Sequence, residues 1–320
     1  MGSCAARRAL GSFRLQPEAQ RNLTGRSRRC ENSSPTPVVT CTMRILRAAH
    51  LGMCFGVRDA IALAFDEAES HPLTILGDLV HNPTVLASLE DKGIAVAREP
   101  AHVKTQVMMV TAHGASQRRL AEVRQLRLDV VEATCPLVHV AHRAVATLVR
   151  EGYHPVIIGQ RTHIEVRGMT EDLSQFDVVL DEADVAALGD HPRIGIASQT
   201  TQPVERVQHL VALIHRRFPD SEIRFIDTVC KPTKQRQAAA ADLAMKCDVV
   251  IVIGGASSNN TRELVNTCRR HCSRVHHVES ESDLCRDWLS MAATVGITAG
   301  TSTPDDVIDR IERRLRVLAG

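Results

Sequence analysis

One unit recurs along this chain: a short β-branched or apolar run, a small polar loop, then an amphipathic helical pattern. "QVMMV" leads into "TAHGAS" and "QRRLAEVRQL", "HPVIIG" into "QRTHIEVRGM", and "RIGIA" into "SQTTQPVERVQHLVALIHRRF". Further on, "CDVVIVIG" leads into "GASSNN" and "TRELVNTCRRH", and "TVGIT" into "AGTSTPDDVIDRIERRLRVL". Apolar runs this short, unbroken by polar residues, suit strands buried on both faces. That is the setting of a parallel sheet covered by helices. The chain is therefore read as α/β with small, mostly parallel sheets, and its 320 residues suit two or three modest domains rather than one.

The polar residues collect in loops that follow strands and precede helices. In open parallel sheets those carboxyl-end loops are where ligands bind. The pattern alone thus names His81, His113, His163, Glu165, Thr200, Ser258, Asn260 and Ser302 as candidates. His139, His142, His154, His209 and His215 fall inside helix or strand patterns and are read as structural.

Composition closes several alternatives. A formal net charge of +2 and an aromatic content of 2% supply neither a broad positive field nor stacking rings, so nucleic acid is not an expected partner. No uncharged apolar run approaches the ~20 residues of a membrane span. Residues 1–42 are rich in Arg and Ser, poor in acids and without a sustained apolar period, so they are expected to be a disordered or leader extension. Met43 stands just before the first strand pattern. A cytoplasmic location is favoured over plastid targeting by that extension.

Ten cysteines without a secretory signal read as reduced thiols, metal ligands or core residues. Three share a setting: Cys54 in "GMCFGVRDAI", Cys135 in "EATCPLVHVAHRAV" and Cys230 in "IDTVCKPTKQRQAAA". Each follows an extended stretch and opens a helix-compatible segment, where the helix dipole favours a thiolate. They recur once per small α/β unit, which suggests similar lobes each donating one thiolate. No C-x-x-C pair of a structural zinc site is present. Distant single cysteines converging on one centre suit an iron-sulfur cluster with one iron left open. Cys247, Cys268, Cys272 and Cys285 are read as core or surface residues, and Cys4, Cys30 and Cys41 belong to the extension.

The loops offer histidines, hydroxyls and amides but little fixed positive charge, a set that holds a phosphate or diphosphate through imidazoles and backbone N–H groups. "VIGGASSNNTREL" has glycines but neither a G-K-[ST] ending nor a G-x-G-x-x-G fingerprint, so nucleotide binding has no support. In "THIEV" His163 and Glu165 are two apart, and an extended loop would aim both side chains the same way.

Taken together and in order, "CFGVRDAI", "VHNPTVL", "TAHGAS", "EATCPLV", "THIEVRG", "ASQTTQ", "DTVCKPTKQRQ" and "TAGTSTPDDVI" resemble the LytB/IspH family of 4-hydroxy-3-methylbut-2-enyl diphosphate reductases, from about Met43 to near the C-terminus. The resemblance implies a trefoil of α/β lobes around a central cavity, with lobes at 43–136, 137–227 and 228–320. The first strand would be free to pack with the third lobe. It implies a [4Fe-4S] cluster on Cys54, Cys135 and Cys230, and a diphosphate held by His81, His113, His163, Thr200, Ser258, Asn259, Asn260 and Ser302. Glu165, with Thr200 beside it, would donate the proton that turns the allylic hydroxyl into water. The implied reaction is the last step of the non-mevalonate (MEP) route to isopentenyl and dimethylallyl diphosphates, with reduced ferredoxin or flavodoxin as electron donor.

Two positions depart from the family pattern. Where G-x-N-S-S-N is common this chain reads "GGASSNNT", so that without a gap Ser258 and Asn259 fall on the two serines, whereas a shifted register would use Ser257 and Ser258. The usual proline between the histidine and the glutamate is Ile164, expected to loosen the loop. A non-redox or degenerate diphosphate-binding homologue is the alternative reading, and a zinc or thiol hydrolase a third.

Overall fold

The structure is a computed structural model that describes residues 43–319. The extension read at 1–42, with Cys4, Cys30 and Cys41, lies outside the described residues. In chain order the regular elements begin with β1 (Arg44–Arg47), α1 (Phe55–Ser70), β2 (Leu73–Leu76), α2 (Pro83–Asp91), β3 (Ala95–Ala97), β4 (Val107–Val110), α3 (Gln117–Gln125) and β5 (Asp129–Glu132). They continue through α4 (Pro136–Arg150), β6 (His154–Ile158), α5 (Ile164–Thr170), β7 (Asp177–Val179), α6 (Glu182–Ala187), β8 (Arg193–Ser198), α7 (Val204–Arg217) and β9 (Glu222–Phe225). Last come α8 (Lys231–Ala244), β10 (Val249–Ile253), α9 (Asn259–Arg269), β11 (Val275–Val278), β12 (Thr294–Ala299) and α10 (Asp305–Ala319).

The strands form three sheets of four, ordered β3-β2-β4-β5, β7-β6-β8-β9 and β1-β12-β10-β11. All the pairings are parallel. One topology is repeated: the second strand of each set lies outside the first, and the third and fourth lie on the other side. In the third sheet the fourth place is taken by β1, paired in register with β12 from Arg44 opposite Thr294 to Arg47 opposite Ile297. The chain thus begins by completing the sheet with which it ends.

The central strands are buried along their whole length, β2, β4 and β10 without exception. The strands in fourth place, β1, β5 and β9, are edges and carry charges such as Arg44, Asp129, Glu132, Glu222 and Arg224 that discourage further pairing. Each edge strand hands on to a long helix, α1, α4 or α8, that crosses to the next sheet. Strand order reverses between the first and third strands of every sheet, and the loops at those switch points face one another.

The lobes are pinned by polar contacts at their seams. The Asp172 carboxylate, just past α5, accepts from the Gln117 and Arg118 amides at the start of α3, at 2.7 and 2.9 Å. Arg206 on α7 pairs with Glu263 on α9 at 2.6 Å. Arg236, buried on α8, donates through Nε and Nη2 to the Gly52 carbonyl at 2.9 and 2.7 Å, tying the loop before α1 to the helix that starts beside Cys230. Since a hydrogen bond from a charged donor contributes about 1.5–3 kcal/mol, Arg236→Leu is expected to lower stability by about 2–3 kcal/mol, read as a shifted urea midpoint at unchanged slope. Ile164 occupies the first position of α5, where proline's fixed φ suits the helix. Ile164→Pro should therefore raise stability by about 0.4–1 kcal/mol in the same assay. A destabilised variant would show that position to be strained against the ring.

Candidate functional site

Cys54, Cys135 and Cys230 are the N-cap residues of α1, α4 and α8, and none of their side chains caps the helix. One hydrogen bond repeats at all three. The Cys54 amide donates to the Thr301 carbonyl, the Cys135 amide to Ala112 and the Cys230 amide to Thr200, each at 3.0 Å. Those carbonyls belong to the second residue beyond β12, β4 and β8 respectively. Each sheet therefore fixes its cysteine against the end of its own third strand, at the switch point. Pro136 and Pro232 lie in the first turns of α4 and α8, where a missing N–H leaves nothing unpaired.

The thiols sense one another. Burial pushes the Cys230 thiol up to about 11, and the charges of Glu165 and Cys54 push it the same way. Burial likewise raises Cys135, with Cys54 and Glu165 adding to it. Gly56 must lack a side chain because a Cβ there would lie 2.4 Å from Cys135 Sγ. Three half-buried thiols, of which Cys135 and Cys230 are disfavoured as thiolates by burial and by the charge of Cys54, suit a polycation that would neutralise them. A single tetrahedral ion would hold sulfurs about 4 Å apart. Among the described residues the groups whose donors all lie within 4.8 Å are His81, His113, His163 and, elsewhere, His154, Asp177, His191; neither contains a cysteine. The donor set fits a multinuclear thiolate centre better than zinc.

Three histidines gather at strand ends. The rings of His81 and His113 stack at 4.4 Å, and His163 meets them edge-on at 5.3 and 5.6 Å. With Ser258, Asn259, Asn260, Thr301 and Ser302 they line a cavity of about 40 Å³. Burial holds all the rings below the ordinary imidazole range, His163 at about 3 and His113 well below its usual value, so they are neutral at pH 7. His163 Nδ1 accepts from the Glu165 amide at 3.1 Å, which leaves the ring proton on Nε2 to be donated. His113 Nδ1 and Asn260 Nδ2 are buried with no hydrogen-bond partner among the described residues. Unpaired buried polar atoms cost about 1–3 kcal/mol each, and because both residues line the cavity they point to a polar ligand.

Glu165 is 1% exposed. Burial pushes its carboxyl up to about 7, against the pull of two hydrogen bonds from Thr200. The Thr200 amide donates to Oε1 at 2.7 Å and its hydroxyl to Oε2 at 3.0 Å. A carboxyl poised near neutrality can hold a proton at pH 7 and release it, as a general acid must.

Every candidate read from strand-end loops falls in this region. Some do so by a route different from the one expected. His163 and Glu165 are not in an extended loop: His163 caps α5 and Glu165 lies in its first turn, so the spacing of two works through a helix start. Ser258 caps α9, its hydroxyl accepting from the Thr261 amide. Ser257 is exposed while Ser258, Asn259 and Asn260 are buried, which favours the gapless register. The Asn259 amide donates to the Thr201 carbonyl and hydroxyl, both at 3.2 Å, so it joins two lobes as well as lining the cavity. Asn260 Oδ1 accepts from the Thr301 amide, and the Ser302 hydroxyl donates to the His81 carbonyl at 3.2 Å. Gly255 is needed there too, since a Cβ would lie 2.7 Å from that carbonyl.

Sequence reasoning missed Arg236, which reads as a solvated helix charge, and Thr301, whose contribution is a backbone carbonyl. Cys268 and Cys272 are buried in the core beneath α8 and α9, as expected. Cys247 packs against that core half-exposed, and Cys285 is exposed. No described helix is long and apolar enough to cross a membrane.

Residues 45–316 match the family described as LytB protein. A 4-hydroxy-3-methylbut-2-enyl diphosphate reductase from a Geobacter species is 38% identical over 276 residues, covering 84% of this chain and 97% of the relative. The enzyme of the same name from Pelobacter propionicus is 35% identical over 275 residues, covering 85% and 98%. Two solved structures share the fold. The E-1-hydroxy-2-methyl-but-2-enyl-4-diphosphate reductase from Plasmodium falciparum superposes with a TM-score of 0.80 at 25% identity, covering 87% of this chain and 89% of that one. An (E)-4-hydroxy-3-methyl-but-2-enyl diphosphate reductase, titled the terminal enzyme of the non-mevalonate pathway, gives a TM-score of 0.63 at 33% identity, covering 86% and 99%. With the repeated sheets, the convergent thiols and this agreement along nearly all the described residues, the chain belongs to the LytB family.

Proposed function

We infer that the protein is a 4-hydroxy-3-methylbut-2-enyl diphosphate reductase, which removes the allylic hydroxyl of its substrate to give isopentenyl and dimethylallyl diphosphates and water. On this reading 43–136, 137–227 and 228–320 are the lobes, with β1 joined to the third. The observation that carries it is the meeting of three helix-start thiols, a buried glutamate and an imidazole cluster at the switch points of three sheets.

Cys54, Cys135 and Cys230 would hold a [4Fe-4S] cluster. When bound, the cluster supplies two electrons in single steps and an open iron that polarises the hydroxyl oxygen. The chain does the rest. His81, His113 and His163 are neutral in the absence of an anion because burial disfavours their charge. A diphosphate reverses that balance, drawing protons onto them and accepting hydrogen bonds from His163 Nε2, the Asn260 amide, the Ser258 hydroxyl and, once it leaves the His81 carbonyl, the Ser302 hydroxyl. The cavity of about 40 Å³ is smaller than such a ligand, so binding parts the loops from the lobes that close it.

With the diphosphate anchored, the hydroxyl end of the five-carbon chain reaches Glu165. The C–O bond breaks as two electrons enter. One proton, from Glu165, makes water of the leaving oxygen, and a second is added to the allyl carbon skeleton. Thr200 keeps the carboxyl in place, and its hydroxyl accepts or donates as Glu165 gains or loses its proton. Electrons come from a reduced ferredoxin or flavodoxin, a donor able to work one electron at a time.

Anaerobic purification with iron and sulfide analysis tests the cluster. Wild type should carry about four iron per chain, and Cys54→Ser, Cys135→Ser and Cys230→Ser should each lose cluster and turnover. Iron-free wild type that still binds the diphosphate would instead identify a non-redox homologue. Glu165→Gln should keep cluster and diphosphate affinity while turnover falls about 10²–10⁴-fold; wild-type turnover would remove Glu165 as the acid. The same variant has a stability signature. With its folded value raised to about 7 from an ordinary 4.5, Glu165 binds a proton in the folded state that the unfolded chain lacks. Its contribution is full below 4.5 and is lost as pH rises through 7. Cluster-free Glu165→Gln should therefore exceed wild type in stability at pH 8, by on the order of 3 kcal/mol, with the gain vanishing at low pH.

A further inference from the structure

A second cluster of ligating side chains lies at the opposite end of the second sheet. His154 opens β6, Asp177 opens β7, and His191 sits in the connection between α6 and β8. All three are at the amino ends of the strands, whereas His163 and Thr200 follow the carboxyl ends of β6 and β8. Their ligand atoms all lie within 4.8 Å of one another. His154 Nε2 and Asp177 Oδ2 are 2.8 Å apart, and the rings of His154 and His191 stack at 3.6 Å with planes 4° apart. The His154 side chain is 11% exposed.

All three are partly buried at the edge of that lobe rather than free in solvent. Stacked imidazoles this close cannot both carry a proton without strong repulsion, and burial together with His154 holds His191 below its ordinary range. Ligation would displace the proton that His154 Nε2 shares with Asp177 Oδ2, leaving that nitrogen and the carboxylate free to face an ion. Cis ligands of a first-row ion sit about 3 Å apart at bonds of about 2 Å, close to the separation of His154 and Asp177. The His191 ring, in the connection before β8, would have to turn out of the stack to aim its donor at the same ion. Two imidazoles and a carboxylate select borderline ions such as zinc, nickel or cobalt over magnesium and calcium.

We propose that His154, Asp177 and His191 form a divalent transition-metal site that clasps the edge strand β7 and the lead into β8 onto β6. The site is structural, remote from the switch-point cavity and independent of the activity inferred above. Zinc chloride titrated anaerobically into cluster-loaded protein, with calorimetry and iron content followed together, tests it. Wild type should bind one zinc equivalent more than His191→Ala or Asp177→Asn, because His81, His113 and His163 are intact in all three proteins. Zinc should also raise the melting temperature of wild type more than that of either variant. Asp177→Asn keeps shape and a hydrogen bond to His154, so it reports ligation even if His191→Ala weakens folding. Equal zinc stoichiometry in wild type and Asp177→Asn, or an equal zinc-induced melting shift, would overturn the site.

Discussion

The hydrogen bond from each cysteine amide to the carbonyl two residues beyond a third strand organises this molecule. It fixes the start of α1, α4 and α8 against the strand end where sheet order reverses. The helix that leaves each cysteine then crosses to the next lobe, so the bond that positions a thiol also sets the angle at which neighbouring lobes meet. Since β1 supplies the last strand of the third sheet, the circuit closes on itself. Arg236 reinforces the same joint by holding the Gly52 carbonyl from α8.

Convergence of three switch points has an electrostatic consequence. Loops rich in polar groups are brought together in a buried region, which raises the Cys135 and Cys230 thiols and Glu165 and lowers the imidazoles. All those shifts disfavour charge in the protein by itself. A cationic centre on the thiolate side and an anion on the imidazole side would relieve both sets at once. The unpaired donors of His113 and Asn260 belong to the same balance. On the function proposed above, ligands of opposite sign would complete the site.

Much of this was legible along the chain. The buried runs "VMMV", "VVIVI" and the "IGIA" of β8 are unbroken apolar stretches, and the polar residues after them line the cavity, because in a parallel sheet the loop after a strand has only one end to occupy. The short strands β3 and β7 are three residues each and carry no periodicity. His163 and Glu165 were read as neighbours through extended geometry, and a helix start achieves the same adjacency. Arg236 and Thr301 gave no signal, one looking like a solvated charge and the other acting through its main chain.

The α/β class, the carboxyl-end placement of the polar residues and the likeness of the three cysteine settings can be read along the chain, because each is a local property of periodicity and turn chemistry. The chain also carries the family motifs. Only the tertiary structure decided that β1 closes the third sheet, that the thiols share one neighbourhood with Glu165, and that His154 and His191 meet across 37 residues. The reason is physical: burial, coupling between charges and the meeting of loops from different sheets depend on distances through space, and sequence separation does not encode them.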